Sequence, residues 1–162
     1  MKVLFLTNIP SPYRVDFFNR LGDKCELCVL YERKNGSNRN INWRSEEKRK
    51  YKEVFLKGVN IGEEDAFCLS VISYLKKKSY DLVVISGYST PTVMLAIIYC
   101  KIFKLPYILS IDGGRNKKEK KIAFLVKYFF IKGAKAYLCP GEESKKCLVE
   151  HGAEQEKIYI YP

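Results

Sequence analysis

Asp112 stands where chemistry could be done: it follows the apolar run Tyr107 to Ile111 directly, is flanked by Gly113 and Gly114, and has Arg115 close behind. A carboxylate at the end of a buried strand, beside glycines that let a ligand approach, could orient or deprotonate a hydroxyl group. The same residues also suit a plain Asp-Gly-Gly turn. Asn8, Ser11, Tyr13 and Arg14 lie in the segment NIPSPYR. That segment leads into a predicted helix N-terminus, whose free amides favour an anion, and Arg14 adds a full positive charge. As a rigid prolyl turn it needs no ligand. Gly87, Tyr88, Ser89 and Thr90 precede Pro91 and again place small residues and hydroxyls at a helix start, where a sugar or phosphate could be hydrogen-bonded. A helix cap alone also accounts for them.

Other chemistries lack their residues. No GxGxxG follows the first apolar run, which argues against a dinucleotide cofactor. His151 is the single histidine, just before Gly152, where an imidazolium suits a helix C-terminus; a Ser-His-Asp or Cys-His hydrolase has little to build on. Cys25 and Cys28 form the one CxxC, but in an apparent strand residues three apart point to opposite faces, so no metal site is predicted. Without a secretory signal, the six cysteines are expected to remain reduced thiols in the cytoplasm, mostly as small apolar fillers. A flavodoxin-like receiver would need an acidic cluster after its first strand, and none is present.

The elements that must position these residues alternate. Val3 to Thr7 reads as a strand; Ser11 and Pro12 then offer an N-cap hydroxyl and a first-turn proline, Val15, Phe18 and Leu21 form one helical face, and Gly22 suits a left-handed C-terminal cap. Cys25 to Tyr31 and Val54 to Leu56 read as strands, with a basic loop from Arg33 to Lys52 between them. A helix is predicted over Phe67 to Lys78 with Val71, Tyr74 and Leu75 inward. Leu82 to Ser86 is apolar enough for a parallel strand covered on both faces. Ser89 or Thr90 caps a helix from Pro91 to Lys104, followed by a strand Tyr107 to Ile111, a helix Lys118 to Lys132 and a strand Ala136 to Cys139. A last helix, Glu142 to Glu150, stops at Gly152 before Lys157 to Tyr161. The alternation predicts an α/β, Rossmann-like open parallel sheet with helices on both faces, in which ligands sit beyond the carboxyl ends of the strands.

At 162 residues, 47% hydrophobic and 29% charged, the chain suits one globular domain that buries roughly 70% of its unfolded surface. Its apolar runs fall short of the ~20 residues that span a bilayer. The formal charge of +11 draws it toward polyanions, and a stand-alone basic module for nucleic acid or anionic lipid is an alternative reading. One basic zone surrounds Trp43. The other combines Lys117, Lys118, Lys120, Lys121, Lys127 and Lys132 with Phe124, Leu125, Phe129 and Phe130, the mixture of a helix that can rest on anionic lipid, unless its apolar residues pack on the sheet.

The segments KVLFLTNIPSPYRVDFFNRLG, DLVVISGYSTPTVML, PYILSIDGG and GAEQEKIYIYP, in this order, resemble the N-terminal domain of family 4 glycosyltransferases over essentially the whole chain. The resemblance implies a retaining GT-B enzyme in which residues 1–162 form the acceptor-side domain. The nucleotide-sugar domain is absent from this chain, so the fragment alone should be inactive. It implies no metal and no cofactor beyond the nucleotide-sugar co-substrate, a glycan or lipid-linked acceptor in cell-surface polysaccharide synthesis, and a cytoplasmic place, peripheral on the inner membrane face. No nucleic-acid partner is expected. By position, the first loop matches the family segment near the donor phosphates and acceptor, although its usual glycine pair is replaced by proline and serine. Asp112 falls near where many relatives carry histidine or aspartate. Glu142 and Glu150 have the spacing of the family's donor-binding glutamates, but they belong to the last helix of this domain and are a chance match.

Overall fold

The structure, a computed structural model, describes residues 1–34, 48–61, 65–76, 79–113 and 120–161. Seven parallel strands form one sheet in the order β3-β2-β1-β6-β7-β8-β9, where β1 is Lys2–Thr7, β2 Glu26–Tyr31, β3 Lys52–Phe55, β6 Leu82–Ser86, β7 Tyr107–Ser110, β8 Ala136–Cys139 and β9 Ile158–Ile160. The chain runs outward one way from β1 and the other way from β6. The strand order therefore reverses between these two neighbours, where open sheets of this kind leave a crevice for ligands.

Helices α1 (Pro12–Gly22), α3 (Pro91–Ile102), α4 (Lys121–Ile131) and α5 (Glu142–Glu150) connect successive strands, and the short α2 (Val71–Lys76) precedes β6. The sheet separates two apolar cores. One gathers Leu4, Leu6, Leu30, Ile85, Leu109 and Tyr137 with Val71, Val93, Ile97, Ile131 and Leu148 from the helices. The other gathers Val3, Phe5, Val29, Tyr31 and Val84 around Phe18 of α1. Each fully buried side chain of this size contributes about 1.5–3 kcal/mol, which is why the apolar runs decide the strands.

On the side of α1 the cover is partial. The register aligns Ser86, Ser110, Leu138 and Tyr159 across β6 to β9, on the face where Arg14 of α1 reaches Ser86. Toward β9 that row loses its shelter: Leu138 is half-buried and Tyr159 is exposed.

Several expectations need correction. Phe67 to Lys78 is not one helix: Asp65–Phe67 (β5) pairs antiparallel with Val59–Ile61 (β4), and helix is present over Val71–Lys76, residues 77–78 lying outside those described. Backbone bonding overrides the helical spacing, because the buried Thr92 hydroxyl donates to Ala66 O at 2.6 Å and accepts from Cys68 N at 3.0 Å. Gly22 is no left-handed cap. The helix ends at Asp23 in right-handed geometry, and Gly22 is needed because a Cβ there would sit 2.4 Å from the Lys50 carbonyl oxygen. Ser11 occupies the N-cap of α1, but its hydroxyl makes no cap bond and is buried without a partner among the described residues. Helix α4 begins at Lys121; Lys117, Lys118 and residues 35–47 of the basic loop, with Trp43, lie outside the described residues. Its apolar residues pack on the sheet only at the C-terminal end, through Phe130 and Ile131, while Ile122, Leu125 and Phe129 are exposed. No described helix is long and apolar enough to cross a membrane.

Candidate functional site

Residues 8–11 link β1 to α1, which starts at Pro12, and Arg14 in its first turn reaches back over the carboxyl ends of the strands. Its guanidinium donates to the Thr7 hydroxyl at the end of β1, to Ser86 Oγ at the end of β6 (3.1 Å), to the Tyr13 hydroxyl (3.2 Å) and to Asp112 Oδ2 beyond β7. Arg14 is 8% exposed. Burial works against its charge, but Asp112 and the Tyr13 hydroxyl outweigh it, so its pKa lies above the ordinary arginine value. Arg14 is therefore built into the wall, where it ties three strand ends together.

Asp112 is the solvent-facing member of the ion pair, with its side chain 55% exposed. Oδ2 takes the guanidinium, and Oδ1 has no partner among the described residues. The carboxylate is held in one orientation by a cation that cannot leave, with one oxygen available to a ligand hydroxyl. Tyr161 reinforces this corner by donating to Ile111 O at 3.2 Å.

The loop after β6 completes the enclosure. Gly87 has φ +83, a left-handed conformation that glycine adopts without strain, and its N–H donates to Ser110 O at 2.7 Å. Thr90 is the N-cap of α3, its Oγ1 accepting from Val93 N at 3.3 Å, as the sequence led us to expect. Together these loops enclose a cavity of about 410 Å³ lined by Asn8, Arg14, Ser86, Gly87, Tyr88, Ser89, Thr90, Ile111, Asp112 and Gly113. It lies at the β1/β6 reversal. A smaller cavity of about 250 Å³ involves Leu75, Tyr80, Lys104 and Pro106, at the amino end of the sheet.

Of the residues singled out from sequence, Asn8, Arg14, Gly87 to Thr90, Asp112 and Gly113 come together around the larger cavity. Ser11 is buried under α1 and Tyr13 faces outward beside Arg14, so neither lines it. Gly114 and Arg115 lie outside the described residues. His151 ends α5, buried, with Nδ1–H donating to Cys147 O at 2.7 Å; Glu142 and Glu150 are exposed on α5. Sequence reasoning missed Thr7 and Ser86. Their signal was legible, since each is a hydroxyl closing an apolar strand. It also missed Glu32, whose carboxylate accepts the Thr90 hydroxyl at 2.7 Å.

No protein-family model matches the chain, and no curated protein matches it. Among solved structures it is similar to Anabaena HepE in complex with UDP and glucose, at TM-score 0.65 and 14% identity over 99% of this chain and 43% of that one. The same protein with UDP-glucose gives TM-score 0.65 and 13% identity, with the same coverage. The UDP-GlcNAc 2-epimerase from Methanocaldococcus jannaschii gives TM-score 0.59 and 17% identity over 99% of this chain and 45% of that one. The fold is a Rossmann-like domain of the GT-B type. The chain spans less than half the length of each of these structures.

Proposed function

We propose that this chain is the acceptor-side domain of a glycosyltransferase of the hexosyltransferase type, which moves a sugar from a nucleotide-sugar to a glycan or lipid-linked acceptor in cell-surface polysaccharide synthesis. The observation that carries the reading is the convergence of the loops after β1, β6 and β7 on one cavity, with the Asp112 carboxylate pinned at its rim. There Asp112 Oδ1 accepts the acceptor hydroxyl's hydrogen bond and draws off its proton as the acceptor oxygen bonds to the anomeric carbon and the donor's anomeric carbon–phosphate oxygen bond breaks, releasing the nucleoside diphosphate, while Thr90, Ser89 and the loop backbone hold neighbouring hydroxyls. HepE, bound to UDP-glucose in its own structure, makes a uridine nucleotide-sugar the first donor to try. The order of the four resembling segments favours the retaining family 4 type. No metal or other cofactor is assigned, and the donor falls mainly to a second domain.

The acceptor side also suits a membrane surface. Ile122 (76% exposed), Leu125 (63%) and Phe129 of α4 face outward beside Lys120 and Lys121, with the Lys101 ammonium 4.5 Å from the Phe129 ring centroid. Apolar side chains ringed by lysines match an anionic bilayer, and this supports a peripheral position on the inner membrane face.

The test is an NMR titration of the chain with UDP-glucose and with a neutral methyl glycoside. Weak binding that shifts Asn8, Gly87, Thr90 and Gly113, without turnover, is expected. Shifts confined to the opposite cavity around Leu75 and Lys104, or efficient transfer by this chain alone, would overturn the proposal.

A further inference from the structure

Glu32 follows β2 directly and is 3% exposed. Its backbone N–H donates to Thr7 O at 3.1 Å and its carbonyl accepts the Cys68 thiol at 3.6 Å, so the main chain is fixed from both sides. Oε1 accepts the Thr90 hydroxyl at 2.7 Å, and Oε2 is buried with no hydrogen bond of ordinary geometry among the described residues, the Thr92 hydroxyl and the Ala66 N–H being its nearby donors. No lysine or arginine among the described residues pairs with it. The groups around it are Asp65 from β5, Cys68 before α2, Thr90 and Thr92 from α3, and Arg33 next in the chain. The Thr92 hydroxyl is already committed to Ala66 O and Cys68 N. Burial, reinforced by Asp65 and opposed by the Thr90 and Thr92 hydroxyls and the Ala66 backbone N–H, pushes the Glu32 carboxyl up to about 7. A buried carboxylate with so few donors and no paired cation is costly in a folded core, and such groups are kept where they serve a site.

Thr90 links Glu32 to the cavity. A hydroxyl has one proton and two lone pairs. The Thr90 proton goes to Glu32, one lone pair goes to Val93 N–H, and one lone pair is left on a residue that lines the cavity. We propose that Glu32 is a positioning residue that holds the Thr90 hydroxyl as a hydrogen-bond acceptor, so that this end of the cavity selects a ligand hydroxyl, as on a sugar ring, over an oxyanion. The proposal rests on the sugar-handling reading above and deepens it. When Glu32 takes up a proton on Oε1, that proton is donated to Thr90 Oγ1, and the Thr90 hydroxyl proton turns toward the cavity. The wall then donates, and an oxyanion becomes the better partner. No bond other than these O–H hydrogen bonds is exchanged.

The experiment has two arms. In the first, carbon-detected NMR follows the Glu32 carboxyl and the Thr90 methyl and amide through neutral pH with no ligand. Thr90 is expected to move with the same midpoint as Glu32 and to stop moving in Glu32→Gln, while the amide at position 90 keeps moving in Thr90→Ser, which retains the hydroxyl and the cap. In the second, a methyl glucoside and inorganic sulfate, whose charge does not change in this range, are titrated about one pH unit either side of that midpoint. The glucoside is expected to shift Thr90 above it and sulfate below it, with the preference independent of pH in Glu32→Gln. A Thr90 signal indifferent to Glu32, or one probe preferred at both pH values in the unaltered chain, overturns the proposal. Thr90 tracking Glu32 while neither probe shifts any cavity residue would support the pairing and overturn the sugar-handling reading.

Discussion

Arg14 of α1 and Asp112 beyond β7 form an ion pair although 98 residues separate them in the chain. The pair spans the ends of β1, β6 and β7, and among the described residues it is the one ion pair that joins all three walls of the cavity. Asp112→Ala strands a guanidinium that is nearly out of water, so a loss of about 1–3 kcal/mol is expected in chemical denaturation. Arg14→Met removes the stranded charge. The double variant should therefore be less destabilised than the sum of the two single ones. Simple additivity would show that the two side chains do not support each other.

Helix α4 gives a prediction about surfaces. Ile122→Glu with Leu125→Glu alters positions that reach solvent and should leave the melting temperature nearly unchanged. Binding to vesicles containing anionic lipid should fall about tenfold or more, since two inserted aliphatic side chains are lost. Co-sedimentation at moderate salt reads the effect, with neutral vesicles and duplex DNA as comparisons. A chain that prefers DNA to acidic vesicles, or a variant that binds as before, would remove the membrane from the proposal.

Glu32 makes stability depend on pH in an unusual direction. Its carboxyl titrates near 7 when folded and near the ordinary carboxyl value when unfolded, so between those values the folded chain holds the extra proton. The Glu32 contribution to stability is then fully present below about pH 4.5 and is lost as pH rises to about 7, by on the order of 3 kcal/mol. Urea denaturation of the parent and Glu32→Gln across this range should show the gap between them changing with that slope. Parallel curves would mean that Glu32 titrates as an ordinary carboxyl.

Two glycines separate backbone strain from crowding. Gly133 has φ +91 with open space around it, whereas Gly152 has φ +87 and a Cβ there would meet the Tyr128 ring at 2.6 Å. Gly133→Ala should cost only the conformational term, about 1 kcal/mol. Gly152→Ala should cost about 1–3 kcal/mol more, because the ring must move. Equal losses in thermal melts would show that Tyr128 yields freely.

Much of this architecture was legible in the residues. β6, β8 and α5 announce themselves by uninterrupted apolar runs or by helical spacing, and Pro12 and Pro91 mark the starts of α1 and α3. The hairpin of β4 and β5 was not legible, because Val59–Ile61 is exposed throughout and three residues carry no pattern of burial. What decides it is a buried hydroxyl from Thr92, far away in sequence. Arg14 could be picked out as a cation near a strand end, but its commitment to Asp112 and Ser86 arises only once β1 lies beside β6. Glu32 stood beside the basic run that begins at Arg33 and carried no local sign of burial.

The uneven shelter of the sheet on the side of α1 has an evolutionary consequence. Near β1 and β2, where Phe18 closes the core, a polar replacement of Phe5 or Val29 should be purged by selection. At Tyr159, and less so at Leu138, the same kind of replacement meets water and should accumulate freely among descendants of this sequence. One half of that layer is thus free to drift while the other is frozen, and a deep mutational scan would draw the border between them along β7.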